Sequence, residues 1–166
     1  MEITNFRDMY DAELSEAASF EAMLEQSIAD LAAMTSTGRL RDAMSRHASR
    51  PASQSRIVAE MLESHGRNPR EHTDQAMQAM IDEAHKMAGM VAPGPLRDAA
   101  IIASLQRLKH YEVAVYGTLA TYADCLGLRD EKQALGKIMQ REKDFDQILS
   151  EIAKEVVNRD AVSAMH

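Results

Sequence analysis

The sequence lacks tryptophan, has a single cysteine among 166 residues and contains only 4% aromatic residues. Because sheets favour aromatic and β-branched side chains, this composition argues against a β protein. Cys125 cannot form an internal disulfide and has no CxxC neighbour, so a disulfide framework is excluded. The chain is instead rich in alanine and has 12 methionines, residues that suit close-packed helices. We therefore expect an all-α protein.

A net basic surface is also missing, because 26 acidic residues outnumber 19 lysines and arginines and give a formal charge of -7. Phosphate binding needs a basic surface, so nucleic acid is not an expected partner. No apolar run approaches the roughly 20 residues of a membrane-spanning helix, and "MEITNFRDMYDAE" lacks the basic and apolar regions of a signal peptide. We expect a cytoplasmic protein that binds neither nucleic acid nor membranes.

Helical periodicity predicts four long helices, over about residues 5–35, 39–64, 96–126 and 130–158, and a connector helix over about 71–90. The breaks contain residues that end helices, namely Gly38, Gly66 with Pro69, the motif "APGP" and Gly127. This order indicates a single domain, residues 1–166, built as a four-helix bundle. A connector that crosses the bundle's length is typical of ferritin-like folds, whereas up-down bundles have short loops.

Charged or imidazole side chains interrupt the apolar stripe of every long helix near its middle. They are Glu21 in the first helix, His47 and Arg50 in the second, Lys109 and Glu112 in the third, and Glu142 and Asp146 in the fourth. A lone polar residue usually leans towards solvent, but an isolated buried charge costs several kcal/mol unless it is paired. Interruptions on all four helices therefore favour one shared buried site. The Lys109 and Glu112 pair is compatible with three arrangements. It could be half of a metal site, an ion pair that replaces a metal site, or two side chains that extend to solvent.

Inward carboxylates and imidazoles from four helices are the ligands of carboxylate-bridged centres that hold two iron or manganese ions. The usual pattern is one Glu from each of two helices and Glu-x-x-His from each of the other two. Here Met44 stands three residues before His47, and Phe145 three residues after Glu142, so neither motif is complete. The candidate donors that remain are Glu21, His47, Glu112, Glu142 and Asp146.

Two long stretches, "RDAAIIASLQRLKHYEVAVYGTLATYADCLG" and the block from Glu21 to His47, resemble the bacterial YciE/YciF family of ferritin-like, rubrerythrin-like proteins. The resemblance extends from about Phe20 to near the end of the chain. It implies a ferritin-like bundle with a short crossover helix, a homodimer, an association with stress responses and a di-metal centre. The positions that match acidic or histidine residues of the family are Glu21, His47, Glu112, Glu142 and Asp146.

Three positions depart from the family pattern, because Arg50, Lys109 and Arg141 stand where similar proteins have Glu. Arg50 and Lys109 fall at or beside the inward stripe. Clustered carboxylates without their metal ions would repel one another unless cations enter, and a protonated Lys or Arg cannot ligate a metal. We therefore hypothesise that a buried salt-bridge network has replaced the metal site. Pro51 should also kink or open the second helix at this level.

These observations favour a non-enzymatic, stress-associated protein with no catalytic residues and no cofactor. One alternative is an oxidase, peroxidase or ferroxidase that uses iron or manganese, and another is a simple metal-binding or storage protein. We also expect a homodimer, because a closed four-helix bundle would leave the connector's apolar face uncovered. The residues of that face are Met77, Met80, Ile81 and Met87.

Overall fold

The computed structural model describes residues 2–70 and 72–164, and all the regular structure in these ranges is helical. The elements, in chain order, are α1 (Phe6–Ala33), α2 (Gly38–His47), α3 (Arg50–Ser64), α4 (Gln75–Met90), α5 (Pro95–Cys125), α6 (Arg129–Ile152), a π-helix (Ala153–Val157) and α7 (Asn158–Ser163). The all-α class expected from composition is confirmed. None of the described helices is long and apolar enough to cross a membrane.

The helices form a bundle of two hairpins joined by a crossover. In the first hairpin α1 packs against α2 and α3, and in the second α5 packs against α6. The crossover helix α4 lies against α1 and α5. Fully buried apolar side chains from all four bundle positions form the core, among them Leu24 of α1, Val58 of α3, Leu105 of α5 and Leu149 of α6.

The second helix is not continuous, which corrects the single helix predicted over about 39–64. It is divided at Ala48 and Ser49 into α2 and α3. Pro51 lies in the first turn of α3, where the missing backbone N–H has no helical acceptor and the fixed φ suits helix initiation. The helix is therefore opened at this level, one of the two outcomes expected of Pro51, and the proline lies at the start of the second segment.

The connector's apolar face is largely covered within the chain. Met77 is fully buried and Ile81 is 6% exposed, because α4 packs against α1 and α5. Met80 and Met87 are half-buried. The premise that the bundle leaves this face uncovered is therefore wrong, and only the strip around Met80 and Met87 stays partly open.

Candidate functional site

One level of the bundle carries buried ionisable side chains from four directions. Glu21 comes from the middle of α1, His47 from the last residue of α2, Lys109 and Glu112 from adjacent turns of α5, and Glu142 from α6. Each is at most 2% exposed. The structure therefore brings these five predicted residues together in the core, and we call them the charge cluster.

The ammonium of Lys109 lies at the centre of the charge cluster. Its Nζ is 2.6 Å from Glu112 Oε2 and 2.9 Å from Glu142 Oε2. The same oxygen of Glu142 is 3.1 Å from His47 Nε2. These atoms meet at ion-pair distances. The ion pair of Lys109 with Glu142 therefore joins α5 to α6.

Glu21 has a separate set of partners that are neutral. Its Oε1 accepts hydrogen bonds from Gln54 Nε2 at 2.9 Å and from the Tyr116 hydroxyl at 2.5 Å. Both donors are fully buried. Gln54 falls on the inward stripe of the second helix but was not a predicted site residue. A search restricted to charged and imidazole side chains cannot find such donors.

An aromatic ring closes the cluster on the side of α2. The rings of His47 and Phe145 stack with their centroids 3.8 Å apart and their planes 4° from parallel. Phe145 occupies the position at which a Glu-x-x-His motif beginning at Glu142 would have its histidine. A potential nitrogen donor is thus replaced by an apolar wall that also lies 5.9 Å from Lys109 Nζ.

Burial and the Lys109 charge give the acidic groups different protonation states. Burial raises the pKa of Glu112 well above its ordinary value and that of Glu21 to about 7. Burial alone would also raise the pKa of Glu142, but Lys109 and His47 lower it to about 2. The cluster therefore contains one firmly ionised carboxylate and one that favours its protonated form.

The pKa values of the two basic groups, Lys109 and His47, shift in opposite directions. Burial alone would lower the pKa of Lys109, but the carboxylates of Glu112 and Glu142 raise it above its ordinary value. Burial, with the nearby Lys109 charge, lowers the pKa of His47 to about 4. At neutral pH one ammonium therefore faces one carboxylate, while the imidazole is uncharged.

Arg50 does not join the charge cluster, which corrects its predicted place in the salt-bridge network. It is exposed at the start of α3, and its guanidinium forms no ion pair with any residue in 2–70 or 72–164. The inward positions that follow His47 are Pro51 and Gln54, which are both buried, so Arg50 lies beside the stripe and not on it. Arg141, the third position that differs from the family pattern, is also exposed.

Asp146 also lies outside the cluster, contrary to its assignment as a remnant metal ligand. Its Oδ1 accepts a hydrogen bond from Gln106 Nε2 at 3.1 Å, and its Oδ2 lies 3.2 Å from His110 Nε2. His110 is 72% exposed, so the pair is on the outer groove between α5 and α6. One turn beyond Glu142, the α6 backbone directs this carboxylate to partners on α5 instead of to the core.

The charge cluster does not fit a di-metal centre. Within the described part of the chain, no group of three or more His, Cys, Asp or Glu side chains is arranged to hold a metal ion. The Lys109 ammonium occupies the space between Glu112 and Glu142, where its positive charge repels a metal ion. The position of Lys109 is therefore incompatible with the di-metal centre that the family resemblance implies.

Comparison with known proteins identifies the family. A family model described as a domain of unknown function, DUF892, matches residues 5–162. The chain is also 33% identical over 162 residues to protein YciF of Escherichia coli strain K12, which covers 97% of this chain and 98% of that relative. The chain belongs to the DUF892 family, and the resemblance to YciF-type proteins is confirmed.

Solved structures give the same result for the fold. The crystal structure of the E. coli stress protein YciF matches with a TM-score of 0.88 at 32% identity, covering 94% of this chain and 99% of that one. YcfI of Rhodopseudomonas palustris, described as a proposed structural protein, matches with a TM-score of 0.85 at 26% identity, covering 90% and 95%. The ferritin-like helical bundle is confirmed.

Replacing Lys109 by alanine should destabilise the fold by about 3–5 kcal/mol, because it leaves a buried carboxylate without its counter-charge. The matched control is Lys143→Ala on α6, since Lys143 is exposed and its loss should change the free energy of unfolding by less than about 0.5 kcal/mol. Denaturant unfolding of the two variants measures the difference. Equal effects would show that Lys109 contributes no buried ion pair.

Glu21→Gln should stabilise the protein at alkaline pH and not at acid pH. Folding raises the pKa of Glu21 from 4.5 to about 7, so the folded state binds this proton more tightly. Stability from this group is complete at acid pH and is lost as the pH rises through about 7, by roughly 3 kcal/mol. Unfolding curves near pH 5 and pH 8 test this. A constant difference between wild type and variant would contradict the buried titration.

Proposed function

We propose that this protein is a stress-associated ferritin-like protein with a structural, non-enzymatic role, in which a buried ion pair stands in place of a di-metal centre. The observation that carries the proposal is the position of the Lys109 ammonium, 2.6 Å from Glu112 and 2.9 Å from Glu142. An ammonium that contacts both Glu112 and Glu142 supplies positive charge where a bridging ion would supply it. It has no lone pair with which to ligate an ion.

Two further features support a structural role. The cluster residues are sealed from solvent, and the surface cavities beside α1 and α3 are lined by other residues, so no cavity described leads a substrate to them. Phe145 stacks on His47 and fills the place of a second imidazole. The relatives point the same way, since one is called a stress protein and another a proposed structural protein.

The metal content of the purified protein tests the proposal directly. After expression with added iron or manganese, wild type should contain far less than one ion per chain. Lys109→Glu combined with Gln54→Glu should bind up to about two ions, because both positions are fully buried and each change adds a carboxylate beside Glu21, Glu112 or Glu142. Metal analysis, with circular dichroism to verify the fold, measures the outcome.

Arg50→Glu is the matched control, because it adds a carboxylate at an exposed position and should bind no metal. Lys109→Met removes the charge without adding a donor and should also stay metal-free. Near-stoichiometric iron or manganese in wild type would overturn the proposal. That result, together with turnover of peroxide or oxidation of iron, would support the oxidase, peroxidase or ferroxidase alternative.

We further propose a homodimer, in which the open strip of α4 around Met80 and Met87 forms part of the interface. These two half-buried side chains are two helical turns apart and so share one face. Light scattering of wild type should give twice the chain mass, and Met80→Glu should shift it to the monomer without loss of helicity. A wild-type monomer at micromolar concentration would refute this assembly.

A further inference from the structure

A second group of ionisable side chains lies at the end of the bundle where α3 ends and α6 begins, away from the charge cluster. Its centre is His65, the residue that follows α3, whose side chain is 4% exposed. The groups around it come from α1, from the connection after α3 and from the first turn of α6. The proposed function assigns no role to any of these residues.

Both ring nitrogens of His65 face carboxylates. Nδ1 lies 2.7 Å from Asp11 Oδ1, and Nε2 lies 3.0 Å from Glu131 Oε1. A neutral imidazole has a single N–H, so only the doubly protonated ring can donate to both oxygens. Removing one proton places a nitrogen lone pair opposite a negatively charged oxygen. One of the two contacts must then be lost.

The surrounding groups leave a place for this positive charge. Arg67 Nε donates to Asp11 Oδ2 at 3.0 Å, and its terminal nitrogen donates to Asp8 at 2.8 Å. Arg7 lies 3.6 Å from Asp11, and the Tyr10 hydroxyl donates to Glu131 Oε2 at 2.6 Å. The charged groups facing His65 are thus three carboxylates and two guanidiniums. An imidazolium makes the group neutral, whereas an imidazole leaves it with an excess negative charge.

We propose that His65 is a proton-dependent clamp, which in its doubly protonated form fastens the end of α3 to both α1 and α6. Loss of one ring proton releases α3 from one of its two carboxylate partners and loosens this end of the bundle. The released end then has Arg67 as its remaining charged attachment to α1. The clamp closes as the pH falls and opens as the pH rises.

Two backbone hydrogen bonds report directly on whether the end of α3 is closed. The N–H of His65 donates to Met61 O at 3.1 Å, and the N–H of Arg67 donates to Leu62 O at 2.9 Å. Hydrogen exchange at these amides, corrected for the intrinsic effect of pH, measures opening of the clamp. Nitrogen-detected NMR of the histidine side chains measures ring protonation in the same sample.

Protection of these two amides should fall about tenfold over the pH range in which His65 loses its second proton, and the two changes should coincide. In His65→Gln the protection should not vary with pH in that range, because glutamine carries no titrating proton. His72→Gln is the matched control, since His72 is 42% exposed and faces a single carboxylate, Glu16, at 2.7 Å. A neutral ring can satisfy that pair, so this variant should retain the wild-type pH dependence.

A variant that retains His65 and changes one of its partners tests the proposal even if His65→Gln fails to fold. In Glu131→Gln the side-chain amide can accept from the protonated ring or donate to the deprotonated ring nitrogen, so both contacts survive loss of the proton and the protection should not fall in that pH range. The proposal is overturned if His65 of the wild type loses its proton without a change in amide protection. It is also overturned if the ring and the protection stay unchanged up to about pH 10.

Discussion

The requirement that a buried ammonium be paired determines the arrangement of the bundle's middle. Lys109 is fully buried, and leaving its charge unpaired there would cost several kcal/mol. Glu112 on the same helix and Glu142 on the neighbouring helix therefore have to face it. The remaining members are secondary to this contact, because His47 approaches the same oxygen of Glu142 and Phe145 covers His47.

The fold and the level of the charge cluster could be predicted from sequence because both depend on helical periodicity. Side chains three and four residues apart share a face, so a polar residue inside an apolar stripe is expected to point inward. Glu21, Lys109, Glu112 and Glu142 lie in long uninterrupted helices, where this rule holds along the whole element. The crossover followed from the positions of glycine and proline. These parts of the prediction needed only local information.

The predictions that failed concern residues whose surroundings could not be read from helical periodicity. Arg50 was assigned to the core from its place at or beside the stripe, but the buried positions at this level are His47, Pro51 and Gln54, and Arg50 faces solvent. Asp146 lies at the edge of the stripe, and its direction depends on partners from another helix. The group around His65 comes from three separate helix ends. No periodic pattern connects such residues, so only the three-dimensional structure shows it.

The interruption of the second helix has a consequence for how this protein becomes ordered. α2 contains only 10 residues, and isolated helices shorter than about 12–15 residues are marginal in water. Because a separate helix follows, α2 cannot gain helicity by continuing into α3. Its order must come from docking, and its last residue, His47, makes that contact by stacking on Phe145 of α6. Helix formation in α2 therefore depends on closure of the core, because α1 and α6 together provide the surface on which this segment packs.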